Sequence, residues 1–409
     1  MTGETSQPRA LSIFVVAAEE SGDALGAALA QALTSRLGGA VQLSGVGGRA
    51  MAAAGIVSPF PINELSIIGL TAIPRRLPII FRRIRETADA IIAAGPDALV
   101  IIDSPDFTHR VARRVRQRAP SIPILDYVSP SVWAWRPGRA RAMRGYVDHV
   151  LAILPFEPAA HVRLSGPPCL YVGHPLVERL AELRPNSAEQ DRRQADPPVV
   201  LVLPGSRTSE VRRLLDTFGA AIAIAAPRTG PLELILPAVP HLEPLIREGV
   251  AGWAIPPKIV VEPAEKWAAF RKARAALAAS GTVTLELALA GVPTVAAYKV
   301  PLVEQIVMHL MTLRLKFHTV ILANLVIGEN VVPEFLQRKC TPERLAEALV
   351  PLLSDTPERR RQVEAFKRLD TIMAINAVVP STKAAAVVLD VARRGRSDMA
   401  AVGAAPSLC

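Results

Sequence analysis

PVVLVLPGSR, residues 198–207, runs five apolar residues into a Pro-Gly-Ser turn, and a helical pattern follows from about Glu210 to Ala226. A short unbroken apolar run, a glycine turn and then a periodic helix describe one βα unit of a parallel sheet covered on both faces. The same pattern recurs downstream in LELILPAV (232–239), KIVVE (258–262), ALAASG (276–281) and PTVAAYKV (293–300). Upstream it recurs in LSIFVVAA (11–18), VQLSGV (41–46), ALVIID (98–103), IPILDYV (122–128) and HVLAIL (149–154). Between these runs lie helical segments, clearest where Ile80, Ile84, Ala88, Ile91 and Ile92 share one face. The fold class read from this alternation is α/β, with two Rossmann-like, doubly wound parallel-sheet domains facing a cleft.

The boundary between them is predicted in ERLAELRPNSAEQDRRQADPP, a polar, proline-bearing stretch at 178–198. That leaves residues 1–177 as a first domain and 199–375 as a second. A further helix over 382–395 follows Pro380, and the small, unpatterned tail 398–409 is expected to be disordered.

The length of 409 residues and the 50% hydrophobic content suit two buried cores and exclude a disordered or fibrous chain. Forty-seven Lys and Arg against 37 Asp and Glu give a formal charge of +10, which suits nucleic acid, an anionic membrane surface or a phosphorylated small substrate. Cys169, Cys340 and Cys409 are too widely spaced for a zinc site or a disulfide framework, and a reducing compartment fits them best. LSIFVVAA is followed at once by Glu19, Glu20 and Asp23, which argues for a strand over a signal peptide. No stretch of 18 uncharged apolar residues occurs, so membrane contact is expected to be peripheral.

Four stretches carry chemistry. LPGSR (203–207) ends a strand and opens a helix, where backbone N–H groups and Arg207, with Ser206 beside it, suit a diphosphate; an ordinary turn with a surface arginine reads equally well. SGTVTLE (280–286) repeats the logic, with Ser280, Gly281 and Thr282 allowing close backbone approach and Glu286 one helical turn on, placed to accept from a ribose diol or simply to face solvent. IIDSPDF (101–107) ends a strand at Asp103, a position suited to a general base worth about 10² to 10⁴ in rate, or to a turn-capping carboxylate; Asp106 is expected to cap the next helix. EESGD (19–23) offers Glu19, Ser21 and Asp23 as substrate contacts or as helix caps.

SPSVWAWRPGRARAM (129–143) interleaves Trp133 and Trp135 with arginines, a pattern for a nucleic acid, a sugar phosphate or a membrane interface, and no nucleic-acid motif accompanies it. RRLPIIFRRIR (75–85) sets apolar residues among arginines; Arg82–Glu86 and Arg85–Asp89 have helical pairing spacing, while Arg75, Arg76 and Arg83 lack local partners and point to anionic lipid. The stretch 302–321 is a second apolar-basic candidate. No His pair at ligand spacing and no Asp-x-Asp occurs, so no metal is expected.

ESGD (20–23), IIDSPDF, YVSPSVWAWR (127–136), LPFE (154–157), YVGHP (171–175), LPGSR, SGTVTLE and YKV (298–300), taken in order, resemble the lipid-A-disaccharide synthase family of inverting GT-B glycosyltransferases. The resemblance implies a GT-B fold whose C-terminal helix, 376–397, crosses back onto the first domain. It implies transfer of 2,3-diacylglucosamine from UDP-2,3-diacylglucosamine to the 6-hydroxyl of 2,3-diacylglucosamine 1-phosphate (lipid X), with no cofactor. Asp103 is then the catalytic base and Glu19 a second catalytic residue, with Glu19, Ser21 and Asp23 lining the acceptor side. Ser206, Arg207, Ser280, Gly281, Thr282, Glu286, Asn324 and Glu329 lie around UDP. It further implies a cytoplasmic enzyme held peripherally at the inner membrane, and leaves a homodimer open. The chain departs from the family in AAEESGD, which leaves Glu19 and Glu20 as alternatives, and in LANL (322–325) for the commoner LPNL. Other enzymes acting on UDP-N-acetylglucosamine, the peptidoglycan transferase and the 2-epimerase, and a nonenzymatic UDP-sugar-binding regulator are the alternatives.

Overall fold

Every apolar run quoted above contains a strand in the computed structural model, which describes residues 9–65, 73–299, 319–375 and 378–399, the side chains of 73–76 and 397–399 excepted. The chain forms two compact units, one made of the residues up to Pro175 together with those from Ala377 on, the other of Leu176–Asn376. In the first unit β1 (Leu11–Ala17), β2 (Val41–Val46), β3 (Ala98–Ile102), β4 (Ile124–Tyr127), β5 (His149–Ala152) and β6 (Cys169–Tyr171) form a parallel sheet in the order β2-β1-β3-β4-β5-β6. Strand alternation explains the unbroken hydrophobicity of β1: Ile13, Val15 and Ala17 enter one core and Phe14 and Val16 another, so neither face tolerates a polar residue. The helices Glu20–Leu37 and Pro380–Met399 cover the first face, and Ile73–Ala94 and Thr108–Arg118 the second.

The C-terminal helix is held along its length. Ala384, Ala385, Val388 and Leu389 enter the core beside Leu29 and Leu33. Near its end Arg396 donates from Nε to Asp148 at 3.0 Å and from Nη1 to the Pro120 carbonyl at 2.7 Å. Gly395, at φ 64° and ψ 175°, interrupts the helix just before that contact. Of the expected tail, the residues from Ala400 on lie outside the described residues.

In the second unit β7 (Val199–Leu203), β8 (Glu233–Pro237), β9 (Lys258–Val260), β10 (Ala275–Ala279), β11 (Thr294–Tyr298) and β12 (Glu334–Leu336) form a parallel sheet in the order β12-β11-β10-β7-β8-β9.

The stretch 178–198 is not a bare linker. It carries the helices Leu180–Leu183 and Ser187–Gln194 and belongs to the second unit. Two buried arginines, Arg193 and Arg274, fix it there by bonding carbonyls near helix ends, and a third, Arg359, holds Arg274. Arg193 donates to the carbonyls of Phe270, Ala290 and Gly291 at 3.0 to 3.3 Å, and Arg274 returns bonds to Arg193 and Ala195 at 3.0 and 2.9 Å. Arg359 donates to Arg274 and Leu352 at 2.6 and 2.7 Å. Helix C-termini carry unsatisfied carbonyls and partial negative charge, so cations are the natural caps. Burial, with Arg359 nearby, brings the Arg193 guanidinium down to about 10.

Candidate functional site

Both sheets reverse their strand order once, and the predicted motifs lie at those reversals. In the second sheet the chain builds β7, β8 and β9 outward, then returns to place β10 on the other side of β7; LPGSR follows β7 and Ser280–Thr282 follow β10. In the first, β1 lies between β2 and β3; Glu19 follows β1 and Asp103 follows β3. The carboxyl ends of strands at such a reversal are where open α/β sheets bind ligands.

Asp103 leaves β3 with φ 50° and Ser104 follows with φ 45°, two successive left-handed residues, neither a glycine. Such conformations cost of order 1–3 kcal/mol each and persist only where the surroundings enforce them. Three contacts do so here: the Asp103 N–H donates to the Tyr127 carbonyl at 3.1 Å, Thr108 Oγ1 donates to the Asp103 carbonyl at 2.6 Å, and the Ser104 N–H donates to Asp103 Oδ1 at 2.7 Å. Burial, then the charges of Glu19 and Asp126, push the Asp103 carboxyl above the ordinary carboxylate range, against the opposing Ser104 hydrogen bond and the nearby His109. Ser104 Oγ, beside it, is buried without a hydrogen-bond partner.

Glu19 and Ser21 are exposed, and the Glu19 charge is felt at Asp103, which singles it out from Glu20. Asp23 is not available to a substrate. It is 6% exposed and its carboxylate accepts from the N–H groups of Gly48, Ala50 and Met51 at 2.6, 2.8 and 3.0 Å, capping the helix Arg49–Ala53. A Cβ on Gly48 would lie 2.7 Å from Asp23 Oδ2, so that close approach requires glycine. Asp106 does not cap its helix either; Phe107 holds the cap position and Asp106 lies 3.7 Å from Arg139.

At the second sheet Gly205, at φ 117°, turns the chain into the helix Thr208–Thr229. The turn's N–H groups are engaged by the protein itself: Glu210 Oε2 accepts from Ser206 and Arg207 at 3.2 and 3.4 Å, and Arg207 Nη1 donates to Glu210 Oε1 at 3.1 Å. A carboxylate thus sits where the sequence suggests a diphosphate. The Arg207 side chain is 76% exposed. Ser280 continues the strand by donating to the Ala297 carbonyl at 2.9 Å, Gly281 is open, and Thr282 begins its helix without a side-chain cap bond. Glu286 lies on the expected helix face but accepts from Lys266 Nζ at 2.8 Å.

Asn324 is 2% exposed and spent on backbone: Oδ1 accepts from Val331 and Val332 at 3.0 and 2.8 Å, and Nδ2 donates to the Val332 carbonyl at 2.9 Å. It shapes the loop rather than offering its amide to a ligand. Glu329 is exposed and paired with Arg368 at 2.7 Å. Among the described residues no group of three His, Cys, Asp or Glu side chains could hold a metal ion.

Sequence reasoning missed a buried network behind Asp103. His109 Nε2 meets Asp126 Oδ2 at 3.0 Å and its Nδ1 meets the Tyr146 hydroxyl at 3.0 Å. The signal was there, a lone acid inside the apolar strand ILDY. Glu157 of LPFE is equally enclosed; it accepts from Trp133 Nε1 at 3.2 Å and Leu154 N–H at 3.0 Å, and burial pushes its carboxyl up to about 7.

The family described as lipid-A-disaccharide synthetase matches residues 13–387. A lipid-A-disaccharide synthase of Bradyrhizobium diazoefficiens is 60% identical over 94% of this chain and 97% of its own, and one of Rhodopseudomonas palustris is 61% identical over 93% and 96%. Solved structures extend the likeness of fold: UDP-GlcNAc 2-epimerase from Neisseria meningitidis bound to UDP-GlcNAc has a TM-score of 0.59 at 12% identity, covering 94% of this chain and all 100% of its own. MurG of Acinetobacter baumannii has a TM-score of 0.52 at 16% identity, covering 95% and 100%. At those identities the likeness concerns fold alone, and it makes the architecture that of GT-B proteins. The sequence relationship, spanning both sheets and the C-terminal helix, decides among proteins that share it: this chain belongs to the lipid-A-disaccharide synthase family.

Proposed function

We propose that this protein joins two acylated glucosamine units, taking 2,3-diacylglucosamine from UDP-2,3-diacylglucosamine and passing it to the 6-hydroxyl of 2,3-diacylglucosamine 1-phosphate. In this reading Asp103 accepts the hydroxyl proton as the oxygen attacks the donor's anomeric carbon. The bond from that carbon to the diphosphate breaks with its electron pair leaving on UDP, and configuration inverts. Glu19 and Ser21 orient acceptor hydroxyls. Arg207, the amides of Ser206 and Arg207, and Ser280–Thr282 take the diphosphate, Glu286 takes the ribose, and neither a metal nor another cofactor is required.

The observation that supports this most is the Asp103 carboxylate, held in a strained turn at the end of β3 with its affinity for a proton raised by burial. The test is to supply both diacyl substrates and identify the product by mass. A phosphorylated tetraacyl disaccharide with equimolar UDP is expected; UDP release without the disaccharide would refute the acceptor assignment.

The substrates' acyl chains call for a membrane surface, and we propose peripheral attachment at the cytoplasmic face of the inner membrane through the helix Ile73–Ala94. Leu77, Ile79 and Phe81 are exposed along it, and no helix among the described residues is long and apolar enough to cross a membrane. Arg83 is not one of the free cations expected there, since it bonds Glu64 and Glu86 at 2.8 and 2.7 Å, and Asp89 pairs with Arg118 instead of Arg85. The side chains of Arg75 and Arg76, and all of 302–318, lie outside the described residues. Replacing Leu77, Ile79 and Phe81 by serine should reduce co-flotation with anionic vesicles, and undiminished flotation would remove this helix as the anchor.

A further inference from the structure

The loop that follows β4, residues 128–137, contains the most distinctive motif of the sequence, and the reaction described above gives it no task. Its first part is anchored in the protein. The Val128 N–H donates to the Leu151 carbonyl at 3.0 Å, Ser129 Oγ meets His161 Nε2 at 2.8 Å, and Trp133 is bonded to buried Glu157 and packs edge-on against Phe156 at 5.1 Å between centroids. Its last part is presented outward. Trp135 is 42% exposed, and the Arg136 guanidinium lies over its ring, 4.4 Å from the centroid.

Arg136 itself has φ 52°, a left-handed conformation unusual for a residue with a side chain, and Val128 at φ 80° is rarer still for a β-branched one. Strain at Arg136, in the exposed part of the loop, points to function rather than to packing. The Arg136 carbonyl accepts from the Arg139 N–H at 2.9 Å, and its guanidinium makes no hydrogen bond or ion pair among the described residues. Stacking on an indole fixes the plane of a guanidinium while leaving its N–H edges free, the arrangement that suits an anion accepting two hydrogen bonds.

The position narrows the anion. β4 pairs with β3, so this loop and the Asp103 turn leave the same sheet edge side by side. Arg139, just beyond Arg136, lies 3.7 Å from Asp106 in the Asp103 loop and bridges the two.

We infer that Arg136, stacked on Trp135, binds the phosphomonoester of the acceptor sugar and so determines its selection over the unphosphorylated sugar. The inference rests on the reaction proposed above, with Asp103 at the hydroxyl end of the acceptor and Arg136 at its phosphate end.

The experiment compares wild type with Arg136→Gln and Arg136→Lys, using 2,3-diacylglucosamine 1-phosphate and the same sugar without its phosphate. A charge-assisted bidentate contact corresponds to about a 10- to 100-fold effect. Arg136→Gln should therefore raise KM for the phosphorylated acceptor by that factor, with kcat, UDP affinity and KM for the unphosphorylated sugar nearly unchanged. Arg136→Lys, which keeps the charge and loses the fork, should recover part of the preference. Retention of the full wild-type preference by Arg136→Gln would overturn the inference. Loss of binding to phosphatidylglycerol vesicles with that preference intact would also overturn it, by assigning Arg136 to lipid headgroups. Absence of disaccharide from the wild type with either acceptor would overturn the underlying reaction, and this inference with it.

Discussion

The two order reversals share a topology and differ in how their residues are held. At the β1/β3 edge the backbone is strained through Asp103 and Ser104, and the carboxyl there is desolvated and shifted. At the β7/β10 edge the left-handed positions are glycines, the charged groups are exposed or paired, and the N–H groups of the turn are shared with Glu210. Strain and burial tune the reactivity of one group at considerable cost in stability. Gripping a charged leaving group needs the opposite, relaxed backbone and mobile cations that solvent can reach. On the function proposed above, the difference separates an edge suited to proton transfer from one suited to anion binding.

Replacing Asp103 by Asn gives the largest expected effect, a loss in kcat of about 10² to 10⁴ with UDP affinity unaltered; a variant within a few-fold of wild type would erase the distinction. Next comes the buried carboxyl of Glu157 in the same unit. Its folded value, about 7, exceeds its ordinary 4.5, so its contribution to stability is present at low pH and is lost as pH rises through neutrality. Glu157→Gln, measured by denaturant unfolding, should gain about 3 kcal/mol relative to wild type between pH about 5 and about 8. An unchanged difference would mean that this carboxyl is not desolvated. Arg207→Ala should weaken UDP by about 10-fold or somewhat more, read by calorimetry, with the pH profile of turnover unmoved. The smallest effect belongs to Glu19→Gln. Removing a charge that raises the Asp103 carboxyl should move the acidic limb of the kcat/KM profile to lower pH, by less than about one unit. A shift in the other direction would show that Glu19 acts otherwise.

The sheets were legible because their central strands are covered on both faces, which forces the unbroken apolar runs of ALVIID and PVVLVL. The three-residue edge strands β6 and β12 were not, since so short a strand need carry no hydrophobic pattern; β9, equally short and also at an edge, was legible because KIVVE carries one. The stretch 178–198 reads as a linker because its fixing contacts are arginine-to-carbonyl bonds, Arg193 reaching residues 77 to 98 positions away, and no local pattern records them. Asp23 and Asn324 mislead for a related reason. Each lies in a motif that the resemblance assigns to a substrate, and each is buried against backbone N–H groups that neighbouring residues do not reveal. The position of Asp103 was legible because it lies at a strand end, which the apolar run ALVIID gives directly. The strain that fixes it depends on Thr108, whose hydroxyl attracts no notice on the page.

Glu210 would give the proposed UDP binding a character that affinity alone hides. On the function proposed here, a diphosphate arriving at LPGSR meets donors already satisfied by a tethered carboxylate, so capture is an exchange of one anion for another. The same side chain can return as the nucleotide leaves. An enzyme whose product is itself a good ligand for that turn would thereby carry its own displacing agent, trading tightness for turnover.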